Sequence, residues 1–269
     1  MDHRAGTRYR GKSASDTIAW VTEVFTAALR RRNARSGATP LITYYDETRG
    51  ERIELSGTSL GNWVDKTAGL LTDEIMVEPG DLVRLPIAVS HPAHWVTLIW
   101  VAAAWRARCS VTLGAADDAA VEVIGPDDPR PGNAETVACS LHPLGLGFST
   151  PLPAGVIDYG VEVRAHPDSF SGPHPAPDDP AWRDGNKDLS HADVVSGVAG
   201  GPARELITPL PDDTPLTIIR RALIRPVLTG GSAVIVLGAS ADRLAVIAAA
   251  ENAAENAAAE HGSGSARDD

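Results

Sequence analysis

Cysteine is almost missing. Cys109 and Cys139 are the only two, too few for a disulfide framework or a cysteine-rich zinc site. Lysine is nearly as scarce. Only Lys12, Lys66 and Lys187 occur among 24 basic residues, so any lysine-dependent chemistry must use one of these three. Positive charge is in short supply overall. With 35 acidic residues the formal charge is −11, the wrong sign for a duplex-binding domain, and nucleic acid is excluded as a partner of the whole chain. The longest apolar run, Trp95 to Trp105, falls short of the roughly 20 residues that span a bilayer. The opening residues MDHRAGTRYRGKSASD contain no apolar stretch of the signal-peptide kind. These absences predict a soluble, reduced, cytoplasmic protein with no membrane span.

What is present is a 269-residue chain, 43% apolar. That is long enough to bury a core without metal or disulfide support. Charge is unevenly spread: residues 1–35 carry eight basic and three acidic side chains, and the remainder is strongly acidic. Composition predicts a disordered basic arm over 1–14, one α/β domain over 15–260 and a disordered tail over 261–269. Arg30, Arg31, Arg32 and Arg35 close the first expected helix, which begins near Ser15 or Asp16 and reaches about Asn33. Arginines there complement the helix dipole, or alternatively meet an anionic partner.

Periodicity and punctuation supply the remaining elements. PLITYY (40–45) reads as a strand, a turn follows, and Ile53 and Leu55 begin another extended piece. Ser56 is placed to cap a helix running from Gly57 to about Glu74. Pro79-Gly80-Asp81 is a turn, and LVRLPIAV (82–89) reads as a strand that Pro86 should confine to an edge or bulge. His91-Pro92 opens a very apolar helix to Arg106. Strands are expected at 109–113, 120–124 and 136–141, and a short helix over 154–165. The segments 125–135 and 166–188 read as loops. A short helix over 190–198, a strand at 206–209, a helix over 214–228 interrupted near Pro226, a strand at 232–237 and a helix over 242–260 complete the chain. Strand, helix and strand in succession form a βαβ unit. The expected fold class is therefore α/β, a mainly parallel sheet with helices on both faces.

The stretch 39–125, from TPLITYYDETRG through the Pro79-Gly80-Asp81 turn to CSVTL, resembles the opening of the adenylate-forming enzymes: acyl- and aryl-CoA ligases, peptide-synthetase adenylation domains and luciferases. A second collinear match covers 178–238, with DDPAW, LSHADVV, RELITPLP and TGGSAVIVLG. The resemblance implies a truncated N-terminal domain of that family, similar to a short actinobacterial family of AMP-binding-like proteins of unassigned function. Arg106-Ala107-Arg108 stands where the family has Ala-Gly. The Ser/Thr/Gly-rich loop that cradles ATP phosphates in the family is missing, because DDPAW runs directly into RDGNKDLSH. The aromatic-Gly-Thr-Glu segment, the ribose-binding aspartate and the C-terminal domain with its lysine have no counterpart.

Candidate ligand-binding residues are Lys187, Ser190 and His191. Lys187 falls where the phosphate loop would end, although one lysine after one glycine makes no amide cradle, and a solvated loop lysine explains it equally. Ser190-His191-x-Asp193 has triad residue types, but neighbouring side chains on a helix diverge, and a capping box explains the pattern better. No catalytic residue and no metal site is assigned. His91 and His94 share a helix start without a third ligand. Trp95, Trp100 and Trp105 fan around their helix and read as core. LHPLGLGFSTPLPAG (141–155) is apolar enough to suggest that Leu144, Leu146 and Phe148 plug a vacated cleft. The expected function is a non-catalytic relative of the adenylate-forming enzymes that binds a small molecule or an unknown protein partner without a cofactor. The alternative is a ligase-like enzyme, or half-enzyme completed by a second chain, using ATP or AMP.

Overall fold

A computed structural model describes residues 24–255 apart from 128, 186 and 199. The basic arm, the start of the first helix and the C-terminal tail lie outside the described residues. Strands β1 (Pro40–Asp46) and β2 (Glu51–Ser56) form a hairpin, and α1 (Phe25–Ser36) precedes them. Ser56 then caps α2 (Gly57–Gly69) by accepting from the Ser59 amide at 3.1 Å, and a π-helical turn carries that helix on to Glu74. β3 (Leu82–Arg84) leads to α3 (Trp95–Arg106), which returns the chain to β4 (Ser110–Thr112). Next come β5 (Ala119–Ile124), β6 (Glu135–Ala138), β7 (Val156–Asp158), β8 (Pro180–Asp184), β9 (Lys187–Ser190) and α4 (His191–Val195). β10 (Arg204–Ile207), α5 (Pro215–Ile219), α6 (Arg225–Thr229), β11 (Ser232–Leu237) and α7 (Ala241–Glu251) end the described chain.

The strands make two sheets rather than one. The larger has seven strands in the order β7-β6-β5-β3-β4-β8-β9, and the smaller four in the order β10-β11-β1-β2. All pairings are parallel except β1–β2 and β8–β9. One core joins them, running from Leu41, Tyr44 and Ile235 to Val83, Val111 and Val121 with α2 and α3 packed in it. All twelve residues of α3 are buried, which its all-round apolar sequence requires. Trp95, Trp100 and Trp105 are core, as their spacing indicated. Trp100 donates to the Cys139 sulfur at 3.2 Å and Trp105 to the Ala181 carbonyl at 2.8 Å, so both indole N–H groups are satisfied at depth.

Several elements differ from the sequence expectation. β3 stops at Arg84, and Pro86 heads a helical turn (Ile87–Ser90) instead of bending a strand. The strand is therefore free to sit centrally, between β4 and β5. The expected helix over 154–165 begins as β7, and helical turns follow only from Tyr159, where Asp158 accepts from the Gly160 amide. The expected loop at 166–188 contains β8 and the start of β9. The helix interruption lies before Pro226, at the π turn Arg220–Ile224, where the Arg225 amide reaches back to the Arg220 carbonyl. Proline lacks the N–H to continue the ladder and its ring crowds the preceding turn, and a π turn absorbs both. The final helix ends at Glu251, not 260. Asn252 takes a left-handed conformation (φ +49°), and the backbone then bonds to β10 through Ala254.

Candidate functional site

The region singled out by sequence is the β8–β9 hairpin and the start of α4. Asp184 pairs directly with Lys187, so the connection is two residues long, with Gly185 at φ +37°. A turn this short offers no run of free amides of the kind that cradles phosphates. The three candidate ligand-binding residues thus follow one another out of that turn: Lys187 opens β9, Ser190 closes it and His191 begins α4. Ser190 accepts from the Asp193 amide at 3.1 Å, and Asp193 accepts from the Ser190 amide at 3.0 Å and from its hydroxyl at 2.8 Å. This is a complete capping box. The His191 ring goes the other way, into the core, 5.9 Å from the Trp105 ring and edge-on to it. Serine and imidazole therefore do not meet, and no nucleophile–base pair exists there.

The capping box and the buried imidazole each have a measurable consequence. Ser190→Ala should cost about 1 kcal/mol, the usual worth of an N-cap, read as a fall in Tm. His191 is fully buried and both ring nitrogens lack a hydrogen-bond partner. Burial holds its pKa down at about 4, against a smaller opposing pull from Asp179. A histidine depressed in the folded state stabilises fully above its unfolded pKa of about 6.5 and loses that contribution as pH falls towards 4. Wild-type Tm should therefore drop more steeply from pH 7 to 4.5 than that of His191→Leu; parallel slopes would refute this role.

A second region lies elsewhere. α1, α2, the end of α3 and the loop over 170–174 enclose a cavity of about 570 Å³. Thr26, Arg30 and Asn33 come from α1, and Thr58, Asn62 and Asp65 from α2. Arg106 from α3 holds the loop, its guanidinium donating to the carbonyls of Phe170, Gly172 and Pro173 at 2.6, 2.7 and 3.2 Å. It also faces Asp65 at 3.5 Å. Burial raises the Asp65 pKa, while the Phe170 amide and Arg106 oppose that rise. His174 bonds Thr26 Oγ1 at 3.0 Å, and burial, then Arg106 and Arg30, hold its pKa down. Of the expected arginine cluster, Arg32 is buried and donates to the Gly231 carbonyl at 3.1 Å. Arg30 is exposed at the cavity. No sequence pattern announces this site, because its walls come from residues up to about 150 positions apart.

The remaining candidates disperse. His94 is buried and caps α3, its Nδ1 accepting from the Val96 amide at 3.2 Å. His91 bonds Ser90 Oγ at 2.8 Å. Among the described residues no three His, Cys, Asp or Glu side chains gather as metal ligands. Of the expected plug residues, Leu144 is 72% and Leu146 37% exposed, while Phe148 is half-buried. Leu141 anchors the segment in the core, and its backbone packs closely beyond it: Gly145 (φ +63°) lies against Trp63 and Trp95, and Gly147 against Asp158 and Val161. Among the described residues no helix is long and apolar enough to cross a membrane.

No protein-family model matches the sequence. A Mycobacterium tuberculosis protein described as a TIGR03089 family protein is 37% identical over 146 residues, covering 50% of this chain and 57% of its own. Among solved structures, a Brucella canis acyl-CoA synthetase aligns over 91% of this chain and 50% of its own, with 13% identity and a TM-score of 0.66. The N-terminal domain of FACL13 from Mycobacterium tuberculosis aligns over 86% of this chain and 61% of its own (14% identity, TM-score 0.62). The anthranilate CoA ligase AuaEII, solved with anthranoyl-AMP, aligns over 81% and 46% (13% identity, TM-score 0.58). The chain spans about half the length of the relatives it matches. With two mostly parallel sheets, a buried α3 and these neighbours, it has the fold of the N-terminal domain of adenylate-forming enzymes.

Proposed function

We propose that this chain uses the adenylate-forming fold for binding rather than for adenylation. The observation that carries the reading is the β8–β9 turn, where two residues connect Asp184 to Lys187. Adenylation needs several donors fixed around the triphosphate as charge develops, and a two-residue turn cannot supply them. The buried His191 and the Ser190–Asp193 capping box give two of the three candidates at the hairpin structural roles. A ligand held at Lys187, Ser190 and His191 would have to compete with the capping box and the core packing of the imidazole. Fold alone supplies no activity.

The test pairs binding with turnover. The purified chain is heated with Mg·ATP, AMP, CoA or a stable acyl-adenylate mimic, and assayed for carboxylate-dependent exchange of pyrophosphate into ATP. A ligand at about 100 times its Kd stabilises by roughly 2.7 kcal/mol, or about 2–4 °C in a domain of this size. The expected result is no exchange and no shift with Mg·ATP. Exchange by the isolated chain would replace this reading with a ligase-like enzyme. Exchange appearing only on adding a second chain would establish a half-enzyme.

A further inference from the structure

The helix-lined cavity shares no lining residue with the hairpin, and its walls define the class of ligand it would hold. Its volume of about 570 Å³ lies within the roughly 300–1,000 Å³ of small-molecule sites. Its lining mixes the apolar Leu29, Val64 and Phe170, the last with the Arg106 guanidinium over its ring at 4.7 Å, with the polar Arg30, Thr58 and Asn62. The charges do not cancel. Arg106 and Asp65 face each other at 3.5 Å, and the Arg106 guanidinium is further occupied by three loop carbonyls. Among the described residues Arg30 makes no hydrogen bond or ion pair, yet it lies close enough to disfavour protonation of His174 and to favour the ionised form of Asp65. The cavity therefore holds one surplus positive charge beside an apolar wall.

We propose that this cavity binds a small organic oxyanion of single negative charge, with the charge on Arg30 and a compact apolar body against Leu29, Val64 and Phe170. A planar guanidinium pairs with two oxygens of a carboxylate or sulfonate at once, and Thr58 adds a hydroxyl to the lining, while the Asn62 amide donates to Asp168 at 3.4 Å. Arg106 acts indirectly, by holding the loop over 170–174 closed against α2. This names the ligand class for the binding reading above and rests on that reading only in assigning a binding role. Adenylation by the chain would overturn the earlier proposal and leave this one standing.

The experiment is amide-resolved NMR titration of the full chain. Phenylacetate and benzenesulfonate serve as monoanions, and phenylacetamide as the neutral match in shape. Saturable shifts confined to residues 26–33, 58–65 and 170–174 are expected with both anions, with the amide weaker by at least about tenfold. Arg30 is exposed, so Arg30→Ala should keep the unliganded Tm while weakening the anions by about tenfold. Arg30→Lys should recover part of the loss, and Asn62→Trp should block binding by filling the space. Absence of saturable shifts with both anions, equal affinity for acid and amide, or indifference to Arg30→Ala would each overturn the proposal. A mere structural role for Arg30 would move Tm and leave the acid-to-amide ratio unchanged.

Discussion

Glu205→Ala lowers the stability of the domain by about 3–5 kcal/mol, the range for breaking a buried ion pair from one side. Glu205 is 2% exposed in β10. Its two carboxylate oxygens take Arg221 Nε at 3.1 Å and Arg225 Nη1 at 2.5 Å. Both arginines come from the π turn and the helix after it, so one carboxylate ties the smaller sheet to the irregular stretch before Pro226. Removing the carboxylate leaves two guanidinium groups largely buried. Arg221 retains only a long approach to Asp213, at 3.8 Å, and Arg225 Nε already lacks a partner. The loss comes from stranded charge, so simultaneous replacement of Glu205, Arg221 and Arg225 by apolar residues of similar volume should cost far less than Glu205→Ala. Urea midpoints at constant m value measure both variants. A triple variant as unstable as the single one would locate the effect in packing instead.

How much of this was legible in the sequence depends on how local the cause is. Ser56 and Ser190 cap helices because a short hydroxyl in an extended residue meets an amide two or three positions on, and that geometry travels with the sequence. Gly230 ends α6 in a left-handed conformation (φ +78°) for the same local reason. The tryptophans of α3 read as core because their helix has no polar face. The hairpin at 180–190 was legible only as a deletion relative to the adenylate-forming enzymes. Its Pro, Asp, Gly and Asn content reads as loop, and a two-residue turn carries no apolar period to contradict that. The division into two sheets was not legible, because β1 meets β11 across nearly 200 residues and no local signal specifies that pairing. The cavity was missed for the same reason: the arginine cluster flagged Arg30 as a candidate anion contact, but Asn62 and Phe170 are ordinary residues until α1, α2 and the Arg106-held loop bring them to it. The apolar 141–155 segment misled in the opposite direction. Leu141 is buried in the core, but Gly145 and Gly147 make the close approaches beyond it while Leu144 and Leu146 are exposed, so composition overstated the burial of those two side chains.

That contrast sets the other large effect. Trp105→Ala should cost about 3–5 kcal/mol, whereas Leu144→Ser and Leu146→Ser together should stay within about 0.5 kcal/mol each of wild type, as exposed substitutions do. Trp105 is fully buried. It meets the Phe25 ring edge-on at 5.5 Å, gives its N–H to the Ala181 carbonyl at 2.8 Å and faces His191 at 5.9 Å. Truncation therefore removes three supports at once, one each to α1, β8 and α4. Trp105→Phe separates the terms: it refills most of the volume but leaves the Ala181 carbonyl unpaired, a cost of about 1–3 kcal/mol. The same substitution reports on His191. An alanine at 105 opens space beside an imidazole whose pKa is low because it is dry, so water entering there should raise the pKa from about 4 towards 6.5. The extra acid sensitivity of wild type between pH 7 and 4.5 should shrink in Trp105→Ala and persist in Leu144→Ser/Leu146→Ser. If acid sensitivity survives in Trp105→Ala, burial by this ring is not what keeps His191 neutral, and α4 is anchored to the core by something other than the Trp105–His191 contact.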